Sequence, residues 1–196
     1  MRRNYERIRG DVGEGVTIVV ATKYVSVAEM GVLAEAGVDV VGENRLQDLV
    51  AKHETYGGAF RWHFIGHLQS RKAAAISALC ELCHSLESVS AARRLTIPAL
   101  VEVNLSGEAT KSGVAKADLP AFLEDARTLG VDVFGLMTMP PLARDPESSR
   151  PYFRELRRLA EAHGLPELSM GTSQDYRVAV DEGATLVRVG SVVFGR

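Results

Sequence analysis

Val16-Thr17-Ile18-Val19-Val20-Ala21-Thr22-Lys23-Tyr24 is the stretch that decides the fold. Its β-branched run is apolar almost throughout, as a strand buried on both faces should be. An open, doubly wound sheet would place a glycine-rich fingerprint directly after such a first strand. Here the strand runs into Ala21-Thr22-Lys23-Tyr24 with no glycine, which favours a closed barrel.

Outward from this point, short apolar runs recur at residues 38–41, 60–65, 82–86, 99–103, 131–139, 167–170 and 185–189. Between them lie segments with helical spacing, such as Leu119, Phe122, Leu123, Ala126 and Leu129, and Phe153, Leu156, Leu159 and Ala160. Ser26-Val27-Ala28-Glu29 reads as a capping box, and Asp118 and Asp145 each stand near a proline at a helix start. Gly37, Gly130, Gly164 and Gly183 sit where helices should stop in a left-handed residue. One strand, one helix and two loops use about 24 residues, so eight units need about 192, against 196 present. The expectation is a single (β/α)8 TIM-type barrel domain over residues 1–196, near-minimal in length, with a short N-terminal helix. The fourth inter-strand helix, around residues 88–95, is weak.

The bulk properties exclude several function classes. There are 23 basic residues against 25 acidic ones, a net charge of −2, and no basic, aromatic-rich stretch for nucleic acid. No apolar run approaches a membrane span, and Met1-Arg2-Arg3 leads into charge rather than a secretory core. Two cysteines make no disulfide framework. A cytoplasmic protein is expected.

Polar residues gather where the strands end, the face on which barrels build their sites. They are Lys23, Glu43-Asn44, His63 with His67, His84-Ser85, Asn104, Thr138 with Met139, Thr172-Ser173, and Arg188 with Gly190-Ser191. A lysine closing a buried strand either snorkels outward or is desolvated into a neutral amine able to form a Schiff base. Gly171-Thr172-Ser173 and Gly190-Ser191, opening onto helix starts, fit a phosphate cradle, with ordinary capping as the alternative. A Schiff-base lysine facing such a cradle suggests pyridoxal 5′-phosphate (PLP). Arg188 would then face the pyridine nitrogen and keep it an unprotonated acceptor, the alternative being an ion pair with Asp181 or Glu182. Cys80-Glu81-Leu82-Cys83-His84 matches a haem-attachment pattern, but with no export signal and no second cysteine pair it reads as core.

The chain resembles the pyridoxal phosphate homeostasis proteins, single-domain relatives of the alanine racemase barrel. The resemblance lies in Val20-Ala21-Thr22-Lys23, Gly42-Glu43-Asn44, Trp62-His63-Phe64-Ile65-Gly66-His67-Leu68-Gln69, Val103-Asn104-Leu105, Thr110-Lys111-Ser112-Gly113, Gly135-Leu136-Met137, Leu168-Ser169-Met170-Gly171 and Val187-Arg188-Val189-Gly190. It implies PLP carried as a Schiff base on Lys23. Ser173, Gly190 and Ser191 would hold the phosphate, Arg188 would face the ring nitrogen, and Asn44, His63 and Met137 would line the pocket. Thr22 replaces a serine, Tyr24-Val25 replaces Thr-Lys-Pro, Arg71 replaces an asparagine, and the stretch 88–96 is short.

The function so implied is non-catalytic holding, buffering or delivery of PLP in its intracellular homeostasis, by a monomer with apo PLP-dependent enzymes as partners. The competing reading is an amino-acid racemase. That reaction needs a base on each face of the substrate carbanion. In the racemases the second base is a tyrosine from a separate C-terminal domain, whereas this sequence closes at Phe194-Gly195-Arg196, directly after the eighth strand signal. A Schiff-base aldolase would lack an acid partner other than Glu43. The carrier is the expectation.

Overall fold

Strands covered on both faces need apolar side chains at every position, and the strands of this chain divide theirs between two clusters. The computed structural model describes residues 1–108 and 111–195; Ala109, Thr110 and Arg196 lie outside the described residues. In chain order the elements are α1 (Arg2–Val12), β1 (Thr17–Ala21), α2 (Met30–Glu35), β2 (Val40–Glu43), α3 (Leu46–Tyr56), β3 (Arg61–Phe64), α4 (Ala73–Ser77), β4 (Leu82–Leu86) and α5 (Val89–Ala92). They continue with β5 (Ala99–Asn104), β6 (Val114–Ala115), α6 (Leu119–Thr128), β7 (Val133–Met137), α7 (Arg150–His163), β8 (Glu167–Thr172), α8 (Tyr176–Asp181), β9 (Leu186–Val189) and α9 (Ser191–Phe194).

All pairings are parallel. The strands run β4-β3-β2-β1-β9-β8-β7-β5, and β4 pairs with β5, so eight strands close into a TIM-type barrel. The two-residue β6 pairs with β5 outside this ring. On the outer faces, Ile18, Val20, Val41, Cys83, Val101, Leu136, Val187 and Val189 join the main core beneath the helices. The alternate positions Val19, Val40, Leu82, Leu100, Met137 and Leu186 form a separate cluster inside the barrel. Neighbours in sequence thus point to opposite faces.

The helices cover the barrel as their spacing predicts. α6 buries Leu119, Phe122, Leu123 and Ala126, and α7 buries Phe153, Leu156, Leu159 and Ala160. Gly164 ends α7 with φ 65°, a conformation that costs a side-chain-bearing residue about 1–2 kcal/mol. The Ser26 amide donates to Glu29 at 2.8 Å, and this box opens a 3-10 turn that leads into α2. Asp145 accepts from the Glu147 amide at 3.0 Å. Asp118 stands at the N-cap of α6 with Pro120 in the first turn, as expected, but a 3-10 turn runs straight into the helix and its side chain makes no capping bond. The weak fourth segment is a four-residue helix, α5, capped by Ser88. The N-terminal helix, expected to be short, is 11 residues long: α1 packs on the barrel through Tyr5, Ile8 and Val12.

Candidate functional site

The loops after the strands enclose a cavity of about 690 Å³. Lys23, Asn44, Ser173, Arg188, Gly190 and Ser191 all line it. These residues come from β1, β2, β8 and β9, four consecutive staves of the barrel, so the closure of the sheet brings them together.

Lys23 lies two residues beyond β1 and is exposed, with Nζ 4.9 Å from the centroid of the Tyr24 ring. Desolvation by a buried strand end, one of the two expectations for this lysine, is therefore corrected: the strand stops at Ala21 and the side chain enters the cavity mouth. The preceding residue is clamped. Buried Thr22 donates its amide to Gly42 O at 3.0 Å and its hydroxyl to Glu43 Oε1 at 2.5 Å. Lys52, reaching in from α3, donates to Thr22 O at 2.7 Å and pairs with the same Glu43 carboxylate. Glu43 accordingly faces the helices rather than the cavity, which removes it as an acid partner. Lys52 was not singled out by the sequence, because nothing in an amphipathic helix marks which lysine turns inward.

Arg188 is buried inside the barrel and donates to Ser169 Oγ, to Thr138 O at 3.0 Å and toward Met139 Sδ at 3.2 Å. Burial lowers its pKa to about 10, against the pull of Glu102 and Asp175, so it remains a cation at neutral pH. The alternative ion pair is not formed: Arg150 holds Asp181 and Glu182 at 3.2 and 3.0 Å, and Arg154 and Arg157 also reach Glu182.

Two expected pocket residues lie elsewhere. His63 and Met137 are buried one layer down inside the barrel, His63 against His84 and Met137 in the inner apolar cluster. Residues two further along the chain line the cavity: Ile65, and Met139, which the sequence places at this rim. The side-chain parity was right; the level at which the strand opens into the cavity was set one step too deep. Gly66, Tyr24 and Leu142 also line the cavity without having been singled out for it. Gly66 lies within the Trp62–Gln69 block, and the structure shows why it is glycine: a Cβ there would sit 2.1 Å from Asn44 O, so the two loops meet only because it has none.

On the far wall, Ser173 Oγ accepts from the Gly190 amide at 3.0 Å and the Val192 amide at 3.4 Å. Asp175 closes this loop by accepting from the Thr172 amide at 2.7 Å and from Ser149 Oγ at 2.7 Å. Gly190 is not demanded by packing: a Cβ there would meet only Ala21 at 3.5–3.6 Å, with φ in the ordinary range. Asn44 Oδ1 is buried without a partner, one of two such side-chain atoms among the described residues. A cavity wall with an unpartnered polar atom and a glycine that packing does not require is suited to a polar ligand.

The cysteine pair is core. Burial pushes the Cys80 thiol up to about 12 and Cys83 to about 11, and both side chains belong to the main apolar cluster. His53 packs against Trp62 with ring centroids 5.5 Å apart and the planes tilted by 52°, a packing role.

Over residues 1–196 the chain matches the family described as alanine racemase, N-terminal domain. A pyridoxal phosphate homeostasis protein of Aquifex aeolicus is 42% identical over 176 residues, covering 81% of this chain and 77% of the relative. That of Deinococcus radiodurans is 38% identical, covering 98% and 95%. PipY of Synechococcus elongatus, solved with PLP bound, superposes with a TM-score of 0.90 at 30% identity and 99% coverage of both chains. Alanine racemase from Corynebacterium glutamicum, at 19% identity and TM-score 0.76, shares the fold over 59% of its length. The closed barrel, its length and these identities carry the same conclusion: the chain belongs to the pyridoxal phosphate homeostasis protein family, built on the alanine racemase N-terminal barrel.

Proposed function

We propose that this chain binds PLP in the cavity as a Schiff base of Lys23 and serves as a non-catalytic carrier in its intracellular homeostasis. The observation that carries the reading is the placement of the Lys23 amine, the Arg188 guanidinium and the Ser173–Gly190–Ser191 wall on one cavity. A PLP-bound relative of nearly the same length supports it. Bound PLP supplies an aldehyde that condenses reversibly with a primary amine. The protein's own residues then hold and orient. Ser173, which accepts from the Gly190 amide and keeps its own proton to donate, and Ser191 would take the phosphate, and Gly190, having no side chain, would leave it room against the wall. Arg188, held as a cation, would donate to the ring nitrogen and keep it unprotonated. Asn44 would lie beside the ring with its unpartnered oxygen.

As a carrier the protein would act in the cytoplasm as a monomer and pass PLP to apo PLP-dependent enzymes. No helix among the described residues is long and apolar enough to cross a membrane. A racemase would need a second base across the ring from Lys23. Among the described residues the cavity's only tyrosine is Tyr24, whose ring lies against the Lys23 amine itself. The test is spectroscopic. PLP-loaded protein should be yellow, and borohydride should shift the band and fix a phosphopyridoxyl mass on the peptide containing Lys23. A protein that stays colourless with excess PLP would end the proposal.

A further inference from the structure

We propose that Ser169, His84 and His63 form a one-directional hydrogen-bond relay through the barrel interior that positions Arg188 and ties it to Glu81 at the opposite end. The inner layer is otherwise aliphatic, made of Val19, Val40, Leu82, Leu100, Met137 and Leu186. A lane of buried polar groups through such a layer costs desolvation unless every group is satisfied. Here every contact is made. Arg188 Nη1 donates to Ser169 Oγ, and Ser169 Oγ lies 2.8 Å from His84 Nδ1. His84 Nε2 lies 2.9 Å from His63 Nδ1, and His63 Nε2 lies 3.0 Å from Glu81 Oε1.

The two ends fix the direction. A guanidinium has no acceptor, and a carboxylate has no donor. Ser169 therefore accepts from Arg188 and spends its single proton on His84 Nδ1. His84 must carry its proton on Nε2 and give it to His63 Nδ1. His63 must carry its own on Nε2 and give it to Glu81. The reversed tautomers would set a bare His63 lone pair against the Glu81 carboxylate and leave the Ser169 proton without a partner. Burial acts in the same sense, lowering the pKa of His63 and pushing that of His84 well below the usual histidine range, so both rings stay neutral.

The surrounding charges suit this polarity. Arg61 pairs with Glu81 at 2.7 Å and with Asp39 at 3.5 Å, which keeps the acceptor end anionic. Glu102 and Asp175 face Arg188 electrostatically and keep the donor end cationic. With Nη1 committed to Ser169 and Nη2 to Thr138 O, the guanidinium plane is fixed where it borders the cavity. Ser169, His84 and His63 are positioning residues. Their effect on cofactor binding rests on the proposed PLP reading; the relay itself does not.

The test is 15N NMR of the histidine side chains in the full chain near pH 7, assigned with His63→Gln and His84→Gln. Both rings should be neutral with the proton on Nε2. Ser169→Ala should move the His84 Nδ1 resonance toward that of an unbonded acceptor and weaken PLP binding about tenfold, as loss of one bond to a charged group would. Should Ser169→Ala not fold, Glu81→Gln on the exposed rim replaces it. That change should shift the His84 resonances although Glu81 does not touch His84, a response that a merely packed core would not give. A charged ring, a proton on either Nδ1, or a His84 signal indifferent to Glu81→Gln overturns the relay. A protein that binds no PLP removes the cofactor reading and leaves the NMR result to decide the relay alone.

Discussion

Ser173 carries the sharpest prediction at the scale of single residues, because its hydroxyl organises the Gly190 and Val192 amides at the cavity wall. If that wall takes the phosphate, PLP should bind far more tightly than pyridoxal. Ser173→Ala should narrow the gap, each charge-assisted bond being worth about 1.5–3 kcal/mol. Equal affinities of the parent for the two vitamers in a titration would put the phosphate elsewhere. Glu102 predicts a pH dependence. Burial and neighbouring Glu87 raise its pKa from 4.5 to about 7. An unfolded chain releases this proton near 4.5 and the folded one only near 7, so the group costs stability as pH rises through that window. Glu102→Gln should therefore be more stable than the parent at about pH 8, by roughly 1–3 kcal/mol, and no more stable at about pH 4. His63 and His84 act with the opposite sign, since a histidine kept neutral in the fold favours unfolding as pH falls below 6.5. Glu102→Gln should consequently unmask a steeper acid loss in thermal melts taken across the range.

At the scale of elements, two glycines in different loops of the same cavity rim should respond differently to the same change. A Cβ at Gly66 would fall 2.1 Å from backbone Asn44 O, whereas one at Gly190 meets Ala21 at ordinary distance. Gly66→Ala should lower stability by about 2 kcal/mol or more, the scale of an overpacked site. Gly190→Ala should melt near the parent and lose PLP affinity, because its new methyl occupies ligand space. Thermal melts beside a PLP titration separate the two, and a Gly190→Ala variant that binds PLP normally would remove that residue from the phosphate wall. The strands were legible before the fold because continuous Val/Ile/Leu runs have no other stable place than a doubly covered sheet. The helices were legible where apolar spacing ran for three turns, as in α6 and α7, and faint in α5, which has four residues. β6 left no signal because two residues carry no period. His63 and Met137 were placed one layer too high because alternation gives the face of a strand but not the level at which the barrel opens. The contacts of Ser169 depend on barrel closure and that of Lys52 on which way its helix faces β1 and β2, so no local pattern announces them.

At the scale of the whole molecule, the arrangement of the cavity predicts that a barrel holding PLP does not turn amino acids over. Racemisation removes the α-proton on one face and returns one on the other, so it needs two positioned bases, each worth about 10²–10⁴ in rate. The cavity's titratable side chains among the described residues are Lys23, Tyr24, Glu29 and Arg188. Tyr24 lies against the Lys23 amine, and Glu29 is engaged with Ser26. Arg188 is held by the interior of the barrel as a cation. Facing the ring nitrogen, as proposed, this cation would leave that nitrogen unprotonated, which stabilises a carbanion poorly and raises the barrier further. The loaded protein should therefore leave L-alanine unscrambled over many hours, while an apo PLP-enzyme mixed with it regains activity. Chiral analysis of alanine and a reactivation assay run in parallel decide the matter. Scrambling at about one turnover per second or faster, lost in Lys23→Ala, would make the protein a racemase and place the second base on a residue that this geometry does not bring across the ring.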